Sequence, residues 1–316
     1  MRKHKVHPAY SFVAFLAFVS MVAVTIIRSH AETAVAQTCR DARERLEQTT
    51  FGAMSGKLGA HAVFVRDITT GADLFGQNAT VALPLASLTK IMTLRIMQKS
   101  VGLNTVYTIT PEDLVSEGSI GFMPGDAYTV GELVKATLIS SSNNATHMLA
   151  HATGLSTESF ITAMNAEAKA LGLDSLHFES ITGLDVNEDT VATASGSARD
   201  ILMLLAREHA DHPAVFAAST HPSETIRSTT GKTIALANTN KAIGYLPLLA
   251  ASKTGYTDVA GGNLAVLWRE PAGHLLGATV LGSTEDGRFA DMVRLHDTTN
   301  TFVSGTAFIS KFCDTQ

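Results

Sequence analysis

Apolar residues are densest at the start of the chain and then fall into strand-like and helix-like periods. From Ala9 to Ile27 the apolar run is broken only by Tyr10, Ser11, Ser20 and Thr25. That length exceeds the ~7–15 residues of an export-signal core and approaches the ~20 that span a bilayer. Beyond it, CRDARERLEQTTF is charged enough to predict a solvated helix. Ala60–Arg66 and Ala72–Phe75 are short β-type runs joined by DITTG. Gly71 supplies the positive φ of a tight turn, so the two runs predict a hairpin.

Pro84 stands where a helix can start, and Leu88, Ile91, Met92, Ile96 and Met97 follow, with Leu94 on the remaining side. A helix apolar nearly all round is a buried one. Ser87 falls in its first turn and Lys90 one turn on, so both share a face. From Thr110 to about His212 the period is helical. TVGELVKATLI opens with a capping box, Thr129 and Glu132. FITAMNAEAKALG carries Phe160, Ile161, Met164, Ala168 and Leu171 at helical spacing and ends at Gly172. SARDILMLLAREH has Ser197 as cap and Asp200 three residues on. GNLAVLWRE and HLLGATVLGS then predict a terminal hairpin, and residues from about Arg288 to Phe312 are helical in part.

Strands therefore come first, a helical block follows, and strands return. The order predicts an α+β fold, with an antiparallel sheet built from both chain ends, flanked by helices, and an inserted all-helical subdomain. Residues 1–38 read as a signal peptide or an N-terminal membrane anchor. Residues 39–316 read as one domain, with an α/β part at about 39–99 and 225–316 and a helical insertion at about 100–224.

Composition narrows the classes. The chain has 316 residues, 45% hydrophobic and 17% charged, which fits a globular protein with a substantial core. The net charge of −5 and the lack of a basic run after residue 5 argue against a nucleic-acid partner. Arg2, Lys3 and Lys5 precede the apolar run, and small-residue cleavage sites end at Ala31 and Ala36. This is an export pattern with the positive end left inside. The two cysteines, Cys39 and Cys313, are either a disulfide permitted by export or two separate thiols. If paired they close nearly the whole domain, worth about 4–5 kcal/mol in the chain-entropy view. With no CxxC, a cysteine-based zinc site is excluded.

Three short polar clusters carry the candidate chemistry. In LPLASLTKIMT, Ser87 stands three residues before Lys90, and no other lysine has a serine at that spacing. SSSNNA places Ser141, Ser142 and Asn143 between two helices, and SKTGYTDVAGG holds Lys253, Thr254 and Gly255. A serine hydroxyl needs a base to become a nucleophile. A lysine becomes that base if its pKa falls from ~10.4 toward neutrality, which burial and a second cation both promote. The apolar helix would supply burial, and Lys253 the second cation.

In this order the clusters resemble those of the D-alanyl-D-alanine carboxypeptidase/endopeptidase family of low-molecular-mass penicillin-binding proteins. The likeness extends through VFVRDITTGADLFGQN, MPGDAYTVGELVKATLISSSNNA, MNAEAKALGL, HFESITGLD, SARDILMLL, NTNKAIG and SKTGYTDVAGGNLA, over about residues 60–300. It implies a β-lactamase/DD-peptidase-like fold and a serine-type hydrolase of peptidoglycan stem peptides, exported to the cell envelope, with β-lactams as covalent inhibitors and no metal or organic cofactor. It also implies roles. Ser87 would attack, Lys90 act as base and Ser141 relay a proton, with Asn143 orienting the substrate amide. Lys253, Thr254 and Arg288 would grip the terminal carboxylate, Gly255 admit the substrate backbone, and the backbone N–H groups of Ser87 and Tyr256 hold the oxyanion. Two departures stand out. Ser142 and Asn144 replace the glycine and acid usual in the second cluster, and the chain ends soon after its last helix, without the further β-domain and amphipathic anchor of longer relatives.

Other patterns are weaker. TTGKT at Thr229–Thr233 lacks the upstream glycine of a phosphate loop, because position 226 is Ile226. HADH at His209–His212 has no accompanying HExxH and reads as a solvated helix end. A class A β-lactamase shares Ser-x-x-Lys and Lys-Thr-Gly, and a catalytically idle peptidoglycan-binding module would keep the same cleft; these are the two alternatives.

Overall fold

A computed structural model describes residues 8–54, 56–114, 120–186, 191–271 and 273–313. Arg2, Lys3 and Lys5 lie outside the described residues. The chain divides into two compact units, Gly56–Thr299 and the two ends, Met1–Ser55 with Asn300–Gln316.

In chain order the elements are α1 (Pro8–Gly52), β1 (Ala62–Asp67), β2 (Asp73–Gln77), β3 (Leu83–Pro84), α2 (Lys90–Gln98), β4 (Val106–Thr108) and β5 (Ala127–Thr129). Then come α3 (Val130–Ile139), α4 (Asn143–His151), α5 (Thr157–Ala170), β6 (His177–Phe178), β7 (Ala194–Gly196), α6 (Ala198–Asp211) and α7 (Pro213–Phe216). The last are β8 (Ser223–Arg227), β9 (Thr233–Ala237), β10 (Leu249–Thr257), β11 (Gly261–Arg269), β12 (Leu275–Ser283) and α8 (Gly287–Cys313).

The larger unit is built on a five-stranded antiparallel sheet in the order β10-β11-β12-β1-β2. The predicted hairpins β1–β2 and β11–β12 form, and β1 joins the two chain halves by pairing with β12. β10 is an edge strand. Helix α2 has Lys90–Leu94, Ile96 and Met97 buried, and shares one core with α3, α4, α5 and α6. On its less buried side Arg95 reaches Glu167 (2.6 Å), Glu208 (2.5 Å) and Asp211 (3.1 Å), anchoring the far end of the helix.

Three local expectations are revised. Pro84 does not begin α2: it lies in β3, paired with Ser195, and its carbonyl accepts from Asn263 Nδ2 at 2.9 Å. These tertiary bonds hold the backbone extended, and a 3-10 turn, Ala86–Thr89, leads into a helix that starts at Lys90 itself. The capping box at Thr129 is half made. Thr129 accepts from Glu132 N, but the Glu132 carboxylate is taken by Lys135 and by Arg227 N, each at 2.6 Å. The central block is mainly helical but also carries β4–β5 and β6–β7, and β8–β9 begins at its expected end. The Ser197 cap forms, accepting from Asp200 N at 3.1 Å, and Gly172 ends α5 with φ +69°.

The smaller unit contains α1 and the C-terminal part of α8. Cys39 and Cys313 form a disulfide with Cα atoms 6.4 Å apart. Arg43 donates to Ser310 (2.5 Å), and the rings of Phe51 and Phe302 lie 5.2 Å apart. Ala31, Ala36 and Thr38 all lie inside the continuous α1. From Phe18 to Ile27 its apolar side chains are exposed, and the helix is long and apolar enough to cross a membrane.

Candidate active site

Ser87 lies in the 3-10 turn between β3 and α2, beside the free edge of β10. Ala86 before it has φ +47°, a left-handed conformation that costs a residue with a Cβ about 1–3 kcal/mol. Neighbours hold it there. Leu85 N donates to Ala194 O at 3.0 Å. A Cβ on Gly255 would sit 2.8 Å from Leu85 O and 3.2 Å from Ser87 N, and one on Gly183 would sit 2.0 Å from Ala86 O. Both glycines are there because the chain passes too close for a side chain. At Gly255 the close approach is that of the Ser87 turn, which the sequence reading did not include.

Lys90 is fully buried, and its Nζ lies 2.6 Å from Ser87 Oγ. It also donates to Asn143 Oδ1 (2.7 Å) and Thr182 O (3.3 Å). A neutral amine has two N–H bonds and one lone pair. With both N–H groups committed to acceptors that cannot donate, the lone pair is left for the serine hydroxyl. Burial pushes the Lys90 ammonium down to about 7, because an apolar core cannot solvate the charge.

Ser141 and Asn143 come from the sharp link between α3 and α4. Ser141 has φ +56°, and Ser142 caps α4 by accepting from Ala145 N at 3.3 Å. Lys253, on β10 and fully interior, donates to Ser141 Oγ and Thr254 O, both at 2.8 Å. Its ammonium is pushed well below the usual lysine range, first by burial, then by Lys90 and Arg288. Burial, rather than the second cation, is the main cause for both.

Thr254 Oγ1 lies 2.6 Å from Thr239 Oγ1. Arg288, at the start of α8, is buried; its Nη1 donates to Gly255 O at 2.7 Å, and its guanidinium lies over the rings of Tyr256 (5.7 Å) and Phe289 (4.7 Å). Tyr256 is exposed at the rim, with its hydroxyl 3.2 Å from Asp258. The structure therefore brings together Ser87, Lys90 and Asn143 as one bonded group, and Ser141, Lys253, Thr254, Gly255, Tyr256 and Arg288 as a second along β10.

Residue reading from the sequence missed four contributors. Thr182 O completes the Lys90 bonding set, Gly183 lets its loop close on the serine turn, Asn263 bridges Pro84 O and Gly282 N, and Thr239 anchors Thr254. Thr182 and Gly183 stand in HFESITGLD and Thr239 in NTNKAIG, so the signal was present as likeness without a role. His209 and His212 belong to the end of α6, and among the described residues no group of three His, Cys, Asp or Glu is placed to hold a metal. A cavity of about 740 Å³ lined by Ile68, Arg199, Met203 and Arg207 shares no residue with the site.

Comparison with known proteins identifies the family and the fold. The model of the D-alanyl-D-alanine carboxypeptidase family matches residues 48–283. D-alanyl-D-alanine carboxypeptidase DacF of Bacillus subtilis is 32% identical over 197 residues, covering 60% of this chain and 49% of the relative. The chain thus matches about half the length of that relative. A D-alanyl-D-alanine carboxypeptidase structure from Mycobacterium tuberculosis superposes with a TM-score of 0.69 at 25% identity, covering 76% of this chain and 90% of that one. Penicillin-binding protein D2 of Listeria monocytogenes, in its ampicillin-bound form, gives a TM-score of 0.65 at 29% identity, covering 76% and 97%.

Proposed function

The chain belongs to the D-alanyl-D-alanine carboxypeptidase family of serine peptidases, and from that premise we propose that it is a penicillin-binding hydrolase of peptidoglycan stem peptides, acting as carboxypeptidase or endopeptidase through an acyl-enzyme on Ser87. The observation that carries this reading is the buried Lys90 amine 2.6 Å from Ser87 Oγ, with its other bonds already assigned. With its pKa near 7, about half the molecules hold a neutral base at neutral pH.

Lys90 takes the hydroxyl proton as Ser87 Oγ attacks the carbonyl carbon. Backbone N–H groups of Ser87 and Tyr256 would hold the oxyanion, donors aimed at charge that grows only in the transition state. The C–N bond then breaks, and the amine leaves with a proton delivered through Ser141, whose hydroxyl is bonded to Lys253. Water hydrolyses the ester and restores Ser87. Asn143 holds Lys90 in place, and the free edge of β10 offers backbone groups to an extended peptide. Lys253, Thr254 and Arg288 would bind the terminal carboxylate.

The same reading makes the protein an exported one, at the outer side of the cell membrane. Residues 1–38 are taken as signal or anchor and residues 39–316 as the catalytic domain. The basic N-terminus and the exposed apolar face of α1 support this.

A fluorescent penicillin tests the proposal, with Ser87→Ala as control. Slow-turnover covalent labelling that vanishes in the variant, together with release of D-alanine or of a cross-linked strand from stem peptides, is expected. Rapid penicillin hydrolysis would instead mark a β-lactamase, and absence of labelling a non-catalytic binding module.

A further inference from the structure

Helix α4 carries Asn143, the partner of Lys90, in its first turn. His147 and His151 follow on the same helix, and of the twelve histidines in the chain no other two stand four residues apart. Residues at that spacing lie one above the other on a helix face, so their rings meet. Here the ring centroids are 6.1 Å apart, with the planes inclined at 61°. The two rings are held differently. His151 Nδ1 donates to Asp113 Oδ1 at 2.6 Å, and Asp113 is fully buried. That carboxylate is itself fixed, by Thr110 N at 2.8 Å and by the Tyr107 hydroxyl at 3.0 Å. An acceptor at Nδ1 places the ring proton there and leaves the lone pair on Nε2. The His151 side chain is 28% exposed, so solvent reaches it. His147 is half-buried and makes no hydrogen bond among the described residues.

A carboxylate behind one imidazole, with a second imidazole one turn away and no bond to lose, is a donor arrangement for a divalent transition ion. Two imidazoles on one tetrahedral zinc, each nitrogen ~2.0–2.1 Å from the metal, have centroids about 5 Å apart. The observed 6.1 Å exceeds this by about 1 Å, a gap that rotation of the unbonded His147 closes. His151 stands in the last turn of α4, where the final carbonyls of the helix favour a cation. Asp113 stands behind His151 and not beside the ion, so the protein supplies two ligands and water completes the shell. Such a site is open and exchangeable, unlike a four-ligand structural zinc. We infer that His147 and His151 form a binding site for a divalent transition ion of the zinc class, with Asp113 orienting His151. The ion would bridge the last turn of the helix whose first turn holds Lys90 through Asn143. The site lies outside the Ser87 machinery and does not depend on the hydrolase reading.

Calorimetric titration of the full chain with Zn²⁺ at about pH 7.5, where most imidazoles are neutral, tests this. Wild type should take up zinc saturably. His147→Ala and His151→Ala should each weaken its tightest uptake at least about tenfold, because two-point attachment becomes one-point. Asp113→Asn should weaken it about 10–100-fold, the usual effect of losing the carboxylate behind a ligating histidine. His221→Ala removes another histidine bonded to a carboxylate, Glu224 at 2.7 Å, and should match wild type. Circular dichroism of each variant checks the fold, and the two histidine variants decide the matter if Asp113→Asn does not fold. No saturable uptake by wild type, wild-type affinity in either histidine variant, or an equal loss in His221→Ala would overturn the site. Wild-type affinity in a folded Asp113→Asn would overturn the role given to Asp113.

Discussion

The buried Lys90 amine should leave a measurable trace in stability, because its pKa differs between folded and unfolded chain. Folded, burial lowers it to about 7; unfolded, it returns to the ordinary lysine value of ~10.4. Between these values the unfolded state binds the extra proton, so stability rises with pH. The contribution is complete above the unfolded pKa and is lost as pH falls toward 7. From pH 7 to 9 the unfolded lysine stays almost fully protonated, while the folded one goes from half protonated to nearly none. At about 1.4 kcal/mol per proton per pH unit, wild type should gain about 2 kcal/mol over Lys90→Met across that interval. The absolute effect of the substitution at pH 7 is a poor measure. It combines relief of the buried charge with the loss of bonds to Ser87, Asn143 and Thr182, each worth about 1–3 kcal/mol when a buried partner is left unsatisfied. The slope avoids this, since those bonds cancel between pH values. Lys253 adds to the difference in the same direction, because removing Lys90 lets it hold its own proton more easily. Urea unfolding of both proteins at pH 7, 8 and 9 measures it. Parallel stability–pH curves would show that Lys90 titrates as an ordinary lysine, and the neutral-base mechanism would fall with that result.

Three further outcomes follow from the same geometry. Acylation by penicillin should rise with pH through about 7 and then level off, because only neutral Lys90 accepts the serine proton; a stopped-flow profile flat from pH 5 to 8 would contradict this. Gly255→Ala should lower acylation at least about tenfold and cost about 1–3 kcal/mol, since its Cβ would stand 2.8 Å from Leu85 O; chemical denaturation with labelling kinetics reads both, and a neutral result would mean the Ser87 turn can yield. Ser141→Gly should be about 1 kcal/mol more stable than Ser141→Ala, since both lose the hydroxyl bonded to Lys253 and only glycine relieves φ +56°, while both should slow acylation; equal thermal melts for the two variants would show that no strain is stored there.

What the sequence made legible divides along physical lines. Periodicity reports which face of an element is buried, so the buried helix behind Lys90 and both sheet hairpins could be read directly. It cannot report a pairing set by distant partners, and for that reason α2 begins at Lys90 and not at Pro84. Ser195 and Asn263, far along the chain, hold Pro84 extended. The site shows the same division. Ser87 and Lys90 are neighbours on a short stretch of backbone, so spacing alone brought them together. The Lys90–Asn143 and Lys253–Ser141 contacts span 53 and 112 residues, and only the likeness of ordered motifs linked them beforehand. Thr182 is harder still, since it acts through its carbonyl, a group every residue has, and no side-chain pattern marks it. Electrostatics also changed in kind. From the sequence, burial by the apolar helix and a second cation at Lys253 stood side by side as causes, with nothing to rank them. Once Lys90 and Lys253 both prove to be interior, desolvation is the larger effect, and the charge of Lys90 is a secondary cause of the lowered Lys253. A buried pair of amines that can hold little charge is costly to fold around, and the strained backbone at Ala86 and Ser141 adds to that cost at the same place. Local preference and fold disagree here, and that concentration of disagreement supports, independently of any motif, the proposal that Ser87 carries the chemistry.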